Sequence, residues 1–564
     1  MKKETIFYLI LNSIILSGYA QNLIPLDWTL AVEKPISKEK TLPVNLLRSW
    51  VKQEISSEYS GDLRTTFFVP AMKEQTDFTL EVTLLADIDS IYINNHYIGG
   101  GFTAKPIWAN YNKVRYEAKK LVVPHSCLKF NKENHISILS SKYAYTGGKS
   151  HNAVKLYAST MSNSSIKIQF PYKNHLYHRS DQVSSNLIIE ADTTGTASIS
   201  IQNDLDELVF TRQIQVDKGK KTYVMNLASQ KLKPGFYTVI AILKDKGYTG
   251  TRSFFTVSPT KIKPSSTEPE GFNDYWKKAL DELKSVKPKF KIKKVDSLCT
   301  EKRNGYIVHM QSIGDKTIYG YYFRPKKKGK FATILHVPGY GYGFEYLDGF
   351  LNSKEDVVEL AFCVRGHGLS KKAFHTEFPV PGFFGHKICD RDSIAYRQIY
   401  MDCIRAVDFL VSRQEVDSSR IGVTGSSQGG GLALMTAGLA SEHISACAYG
   451  NPFPVDLKNL LRIIPLVQDV LKGFIAYYND DCNYEEGLQT FDFFDARHFA
   501  KHIKGTTFYV TGLEDDDCPP RLGFSTYNEI NAPKQFLIYP NDSHVGESNW
   551  GEAMMDFFKK EFKF

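Results

Sequence analysis

The chain has 564 residues, enough for three or four domains at about 150 residues each, with 42% hydrophobic and 23% charged residues, the proportions of ordinary globular protein. Its formal charge of +9 comes from Lys and Arg spread along the sequence, with no basic tract beyond short runs such as Lys326-Lys327-Lys328. That distribution excludes a nucleic-acid footprint and describes a solvated surface. At the N-terminus, Lys2 and Lys3 precede a short apolar run, residues 6–16, and small residues at 17–20. This pattern predicts a signal peptide over residues 1–20, cut near Ala20/Gln21, and a periplasmic or extracellular mature protein. No Cys sits at the expected cleavage region, which argues against a lipid anchor, and no other apolar run approaches the ~20 residues of a membrane span. The eight Cys have no metal spacing and leave disulfide connectivity open. Cys363, Cys403 and Cys447 lie in apolar stretches that suit buried free thiols.

Residues 22–158 read as an all-β domain. Residues 77–85 alternate apolar and polar, 88–93 form a second strand, and Asn94-Asn95-His96 turns it into Tyr97-Ile98-Gly99. Further strands are expected at 112–116, 120–123 and 135–139. The stretch DIDSIYINNHYIG resembles galactose-binding-like jelly rolls attached to glycan-active enzymes. Trp108, Tyr111 and Tyr116 suit stacking on sugar rings, and equally suit a small core. Residues 164–258 carry seven short strands at roughly 8–12-residue spacing, the pattern of an immunoglobulin-like sandwich. Nothing in this second β domain looks catalytic, so it reads as a spacer.

Residues 259–269 (PTKIKPSSTEP) read as a linker. Beyond it, 270–285 has helical spacing. Strands at 307–312, 317–323, 332–337, 358–364, 420–424, 444–449, 507–511 and 535–539 then alternate with helices, which predicts a mainly parallel α/β sheet over 270–564.

Within that sheet, the strand 421–424 leads into Gly425-Ser426-Ser427-Gln428-Gly429 and then a helical segment, the strand–turn–helix of an α/β-hydrolase nucleophile elbow with Ser427 at its apex. A serine nucleophile needs a base, and the base an orienting acid. The strand 507–511 ends in Glu514-Asp515-Asp516-Asp517, where spacing alone leaves the acid open among the four. The strand 535–539 ends in a loop carrying His544. Two N–H donors must hold the oxyanion. Gln428 supplies one; the Gly-rich turn 338–343 supplies the other at Tyr340, unless that turn is structural only. His498 and His502 have a spacing compatible with metal but no evident third ligand, and read as surface residues; Cys518 beside Pro519-Pro520 reads as structural.

Several motifs occur together: Phe272-Asn273-Asp274-Tyr275-Trp276, Arg365-Gly366-His367-Gly368, the 396–410 helix, the Gly-x-Ser-Gln-Gly, and Gly512-Leu513-Glu514-Asp515 running to Cys518-Pro519-Pro520. Over the last 300 or so residues, this set resembles the acetyl xylan esterase / cephalosporin-C deacetylase family, carbohydrate esterase family seven. The resemblance implies a nucleophile at Ser427, an acid at Asp515, a base at His544 and backbone oxyanion donors at Tyr340 and Gln428. It implies deacetylation of oligosaccharides or polysaccharides such as xylan; no feature of the sequence demands a metal or organic cofactor. The alternatives are another ester or peptide hydrolase on the same fold, or a glycan-binding protein with a vestigial site. Three positions depart from the family pattern: His367 stands where Gln is usual, Val545 where Glu is usual, and Lys387-Ile388-Cys389-Asp390 where the family reads like Thr-Arg-Gly-Ile. The family's cytosolic members are hexamers without the two β domains, which leaves the oligomeric state open.

Overall fold

The computed structural model describes residues 23–564 except 26, 35–36, 46–59, 71–77, 84–85, 104–105, 109–113, 117, 144–153, 159–163, 179–182, 227–231, 246–247, 341–342, 345, 354, 376–383, 479–481 and 545–547. The expected signal peptide, Tyr111 and Val545 lie outside the described residues, as do the side chains of Trp108 and Tyr116.

The N-terminal region is built of antiparallel strands in two larger sheets. One has six strands, with Ser60–Val69, Lys132–Tyr143, Ala86–Ile93 and His96–Phe102 as successive neighbours; the other has three, centred on Phe78–Thr83. The expected hairpin is present. Asn94 and Asn95 adopt φ of 49° and 68°, the left-handed values that a two-residue hairpin turn needs and that Asn tolerates. The strands Asp27–Lys34, Ser37–Asn45, Ser60–Val69 and Val154–Ala158 were not foreseen. The next region pairs a three-stranded sheet with a five-stranded one around Leu187, Ile199, Val239 and Phe255. Ile240, on the strand Gly235–Lys244 of this second region, is buried in the core of the first, with Ile242 packed alongside.

The C-terminal region holds a nine-stranded sheet: β1 (Lys291–Lys294), β2 (Arg303–Ser312), β3 (Lys316–Pro325), β4 (Phe331–His336), β5 (Val358–Cys363), β6 (Val416–Ser426), β7 (Ala446–Gly450), β8 (Thr506–Gly512) and β9 (Lys534–Tyr539). Their order is β1-β2-β3-β5-β4-β6-β7-β8-β9. The first three pairings are antiparallel and the remaining five parallel. The parallel strands are continuous apolar runs because helices cover both faces: Ala395–Val411 and Gln428–Leu439 pack into the main core, Trp550–Phe562 into a core on the other side. Because β6 to β9 run parallel, the loops after them emerge at one sheet edge, where open α/β sheets place their sites.

The segment expected to be a linker is fastened to this sheet. Pro259–Lys261 forms a short 3-10 turn, Ile262 is buried, and Asn528 Nδ2 donates to the Pro259 and Ile262 carbonyls at 3.1 and 2.8 Å. Ser265 donates to the buried Asp456. Pro and Ser serve here as turn residues, not as flexible spacers.

Candidate active site

At the end of β6 the chain reverses within one residue. Ser427 has φ 61° and ψ −127°, a conformation that costs a non-glycine residue energy and persists only where its surroundings enforce it. They do so by close contact. A Cβ at Gly425 would lie 2.5 Å from the Gly429 carbonyl oxygen, and one at Gly429 would lie 2.6 Å from that of Val337. Ser427 N–H donates to the Gly450 carbonyl at the end of β7 (3.0 Å), and its own carbonyl accepts from Phe453 and Gly430, each at 2.9 Å. The residue heads the helix Gln428–Leu439, whose N-terminal N–H groups favour a developing negative charge.

Two strands further along, one of the four acidic candidates meets His544. Asp515 is 1% exposed and faces His544 Nδ1 at 3.0 Å. As the carboxylate only accepts, Nδ1–H donates and Nε2 is left as the basic nitrogen. The Asp515 carboxylate also accepts from the Asp517 and Cys518 N–H groups at 2.9 and 2.8 Å, which fixes its orientation. Burial works against a charged imidazole at His544, but the Asp515 carboxylate and the Cys518 sulfur outweigh it and hold the histidine well above its ordinary range. The Cys518 thiol, read from sequence as structural, thus lies within hydrogen-bonding reach of His544; burial pushes it up to about 11. Burial also raises Asp517. Acid and base loops touch directly: Glu514 N–H donates to the Asp542 carbonyl at 2.9 Å, and a Cβ at Gly512 would lie 2.1 Å from that oxygen.

Gln428, the residue after the apex, is buried, and its side-chain amide joins three segments. Its Oε1 accepts from Tyr396 O–H at 3.1 Å. Its Nε2 donates to the Gly339 carbonyl at 3.4 Å and to His367 Nε2 at 3.2 Å. Gly339 precedes Tyr340, so both expected oxyanion donors belong to one hydrogen-bonded unit. His367 Nδ1 donates to the Arg365 carbonyl at 3.1 Å, leaving Nε2 as acceptor, and burial lowers the imidazole to about 4, so it is neutral. The departure at 367 therefore fills an acceptor's place beside Gln428. Its turn is anchored by Arg365, which donates to both Asp402 oxygens at 2.6 and 2.7 Å in a fully buried pair. His367, Tyr396 and Asp402 were not singled out as site residues, because their partners are 32 to 61 positions away and leave no local pattern.

The second departure, at 387–390, includes Cys389, which is disulfide-bonded to Cys482 with Cα atoms 5.8 Å apart. Cys363, Cys403 and Cys447 are buried free thiols, as expected. The reading of His498 as a surface residue is corrected. It lies in a 3-10 turn, buried, with Nε2 at 3.0 Å from Asp492 Oδ1. Asp495 completes a trio that could hold a metal ion, but its carboxylate already accepts from the N–H groups of Asp456, Leu457 and Arg497 and serves as a backbone cap.

Comparison with known proteins identifies the relatives of this chain. The acetyl xylan esterase (AXE1) family profile matches residues 259–562. Acetyl esterase Axe7A of Xylanibacter ruminicola is 29% identical over 352 residues, covering 60% of this chain and 77% of that protein. Among solved structures, an acetyl xylan esterase from Paenibacillus sp. R4 is 30% identical, covering 54% of this chain and 98% of its own, with a TM-score of 0.49. Acetyl xylan esterase 1 from Thermoanaerobacterium sp. JW/SL YS485 is 26% identical, covering 54% and 97%, with a TM-score of 0.47. The family match spans more than half of the chain and begins at Pro259, where the fastened segment starts; the chain belongs to the acetyl xylan esterase family, and its α/β-hydrolase region is that of a serine carboxylic ester hydrolase.

Proposed function

We propose that the protein removes acetyl groups from oligosaccharides or polysaccharides such as xylan, with Ser427 as nucleophile, His544 as base and Asp515 as orienting acid. The observation that carries the reading is the pairing of the buried Asp515 with the partly exposed His544 at the sheet edge that also presents the strained Ser427. His544 Nε2 takes the Ser427 hydroxyl proton as Oγ attacks the acetyl carbonyl. The oxyanion is held by the backbone N–H groups of Tyr340 and Gln428. His544 returns the proton to the departing sugar alkoxide, and water, deprotonated by the same nitrogen, releases acetate. Ser427→Ala should lower acetate release from acetylated xylan by roughly 10⁴-fold or more, since such residues act as a unit. Near-normal release would reject the assignment.

Export through residues 1–20 suits a polymeric substrate outside the cell. We read residues 22–158 as a galactose-binding-like jelly roll and 164–258 as an immunoglobulin-like sandwich, which the paired antiparallel sheets support. In the first, a groove of about 580 Å³ lined by Asp62, Arg64, Tyr92, Asn95, His135 and Ser137 offers a polar and aromatic surface of the kind that suits a sugar.

A further inference from the structure

We infer that the second β region is part of the esterase site: Arg252 is a positioning residue which, through Glu514, fixes the loop that carries Asp515. The inference rests on the assignment of Asp515 as the triad acid.

Arg252 lies on the strand Tyr248–Val257. Its side chain is 3% exposed and stands 3.8 Å from the Glu514 carboxylate, which is 8% exposed. Two charges taken out of water in this way depend on one another. Glu514 immediately precedes Asp515, and its N–H donates to the Asp542 carbonyl of the loop leading to His544. One residue therefore ties together the second β region, the acid loop and the base loop.

Neighbouring contacts reinforce the tie. Arg521, six residues beyond Asp515, forms a two-pronged pair with the buried Asp204 of the second β region. Three residues later, Phe524 packs on Phe236 with ring centroids 5.8 Å apart. Between the two regions is a cavity of about 20 Å³, lined by Phe236, Phe254, Phe255, Leu513, Asp515, Pro519 and Pro520. That is room for about one water molecule. The second β region thus supplies one wall of the small cavity that Asp515 also lines.

This arrangement has a kinetic signature. The charged or titratable groups facing His544 are Asp515, Asp517 and Cys518, all from the acid loop. If the loop drifts, Asp515 withdraws from the imidazole and its stabilisation of the protonated ring weakens. The acidic limb of the pH profile then moves to lower pH while turnover falls.

The test uses the full chain with 4-nitrophenyl acetate, comparing Arg252→Met, Arg252→Lys, Glu514→Gln, the Arg252→Met/Glu514→Gln double variant and Asp515→Asn. The expected result is a kcat at least tenfold lower in Arg252→Met, with KM within twofold and the acidic limb of kcat/KM displaced downward in the direction given by Asp515→Asn. Lysine should restore part of kcat. The double variant should be no worse than either single change, because both cut the same tie. A lowered Tm with kcat and limb unchanged, or a limb displaced upward, would overturn the inference. Loss of activity in Asp515→Asn with wild-type behaviour in Arg252→Met would overturn it alone; wild-type activity in Asp515→Asn would overturn it together with the triad reading.

Discussion

The nucleophile elbow and the acid loop lie two strands apart on one sheet edge and are held by different means. The elbow is held from within. Gly425 and Gly429 let the strand, the helix and the Val337–Pro338 backbone approach until no side chain fits, and the strained Ser427 is enforced by its own domain. The acid loop has its own internal hydrogen bonds but is held from without as well, by Arg252 and Asp204 of a region that the sequence marks as a spacer. Local sterics fix the reacting atom, whose placement tolerates little error. On the proposed assignment, ion pairs reaching across the domain boundary bear on the group that orients the base.

The sharpest break in this comparison is at the elbow. Gly429→Ala places a methyl against the Val337 backbone oxygen, which cannot move without shifting the loop that carries Tyr340. We expect about a 10²-fold loss of esterase activity or more, comparable to removing an oxyanion donor. Wild-type kcat in a folded Gly429→Ala protein would show that the close approach is not needed.

The next effect lies between the two regions, at His367. Replacing it with Leu leaves the Gln428 amide with the Gly339 carbonyl but one N–H short of an acceptor, and should lower kcat about tenfold, the usual kinetic equivalent of a buried donor deprived of its partner. His367→Gln keeps an acceptor and should stay within about threefold of wild type on the same basis. The imidazole has a second signature. Its folded pKa of about 4 lies below the ordinary 6.5, so the unfolded chain binds the extra proton in that window. Its contribution to stability is lost as pH falls from 6.5 towards 4, and the Gln variant should show a shallower fall of Tm over that range. An equal slope in both proteins would rule out this role.

The smallest effect is expected at the outer clamp. Asp204→Asn leaves the Arg521 guanidinium a neutral acceptor and should lower Tm by a few degrees, roughly the effect of about 1 kcal/mol, with kcat little changed. A drop in kcat as large as that expected for Arg252→Met would move the centre of the tie from Glu514 to Arg521.

The same contrast explains what could be read from the chain. The elbow's constraints fall within five consecutive residues, so Gly-x-Ser-x-Gly carries them in its spelling, and the alternating strand periods carried most of both β regions and the sheet. The choice of Asp515 over its acidic neighbours depends on which carboxylate meets His544, 29 positions away, and only the family pattern supplied it. Arg252 and Glu514 are 262 positions apart, and no local period records such a pair. His498 was misread for a related reason: its partner Asp492 is near in sequence, but its burial under Phe272 comes from a helix more than 200 residues earlier.

Ile240 belongs by sequence to the second β region and by packing to the core of the first. The three regions are therefore not beads that can be unstrung. A chain cut near residue 160 would uncover an apolar face on the strand Gly235–Lys244, the strand that also carries Phe236 against Phe524 of the esterase region. Trimming the protein to a minimal enzyme invites aggregation at the first cut and a loosened acid at the second, so the natural unit for engineering is the whole three-region chain.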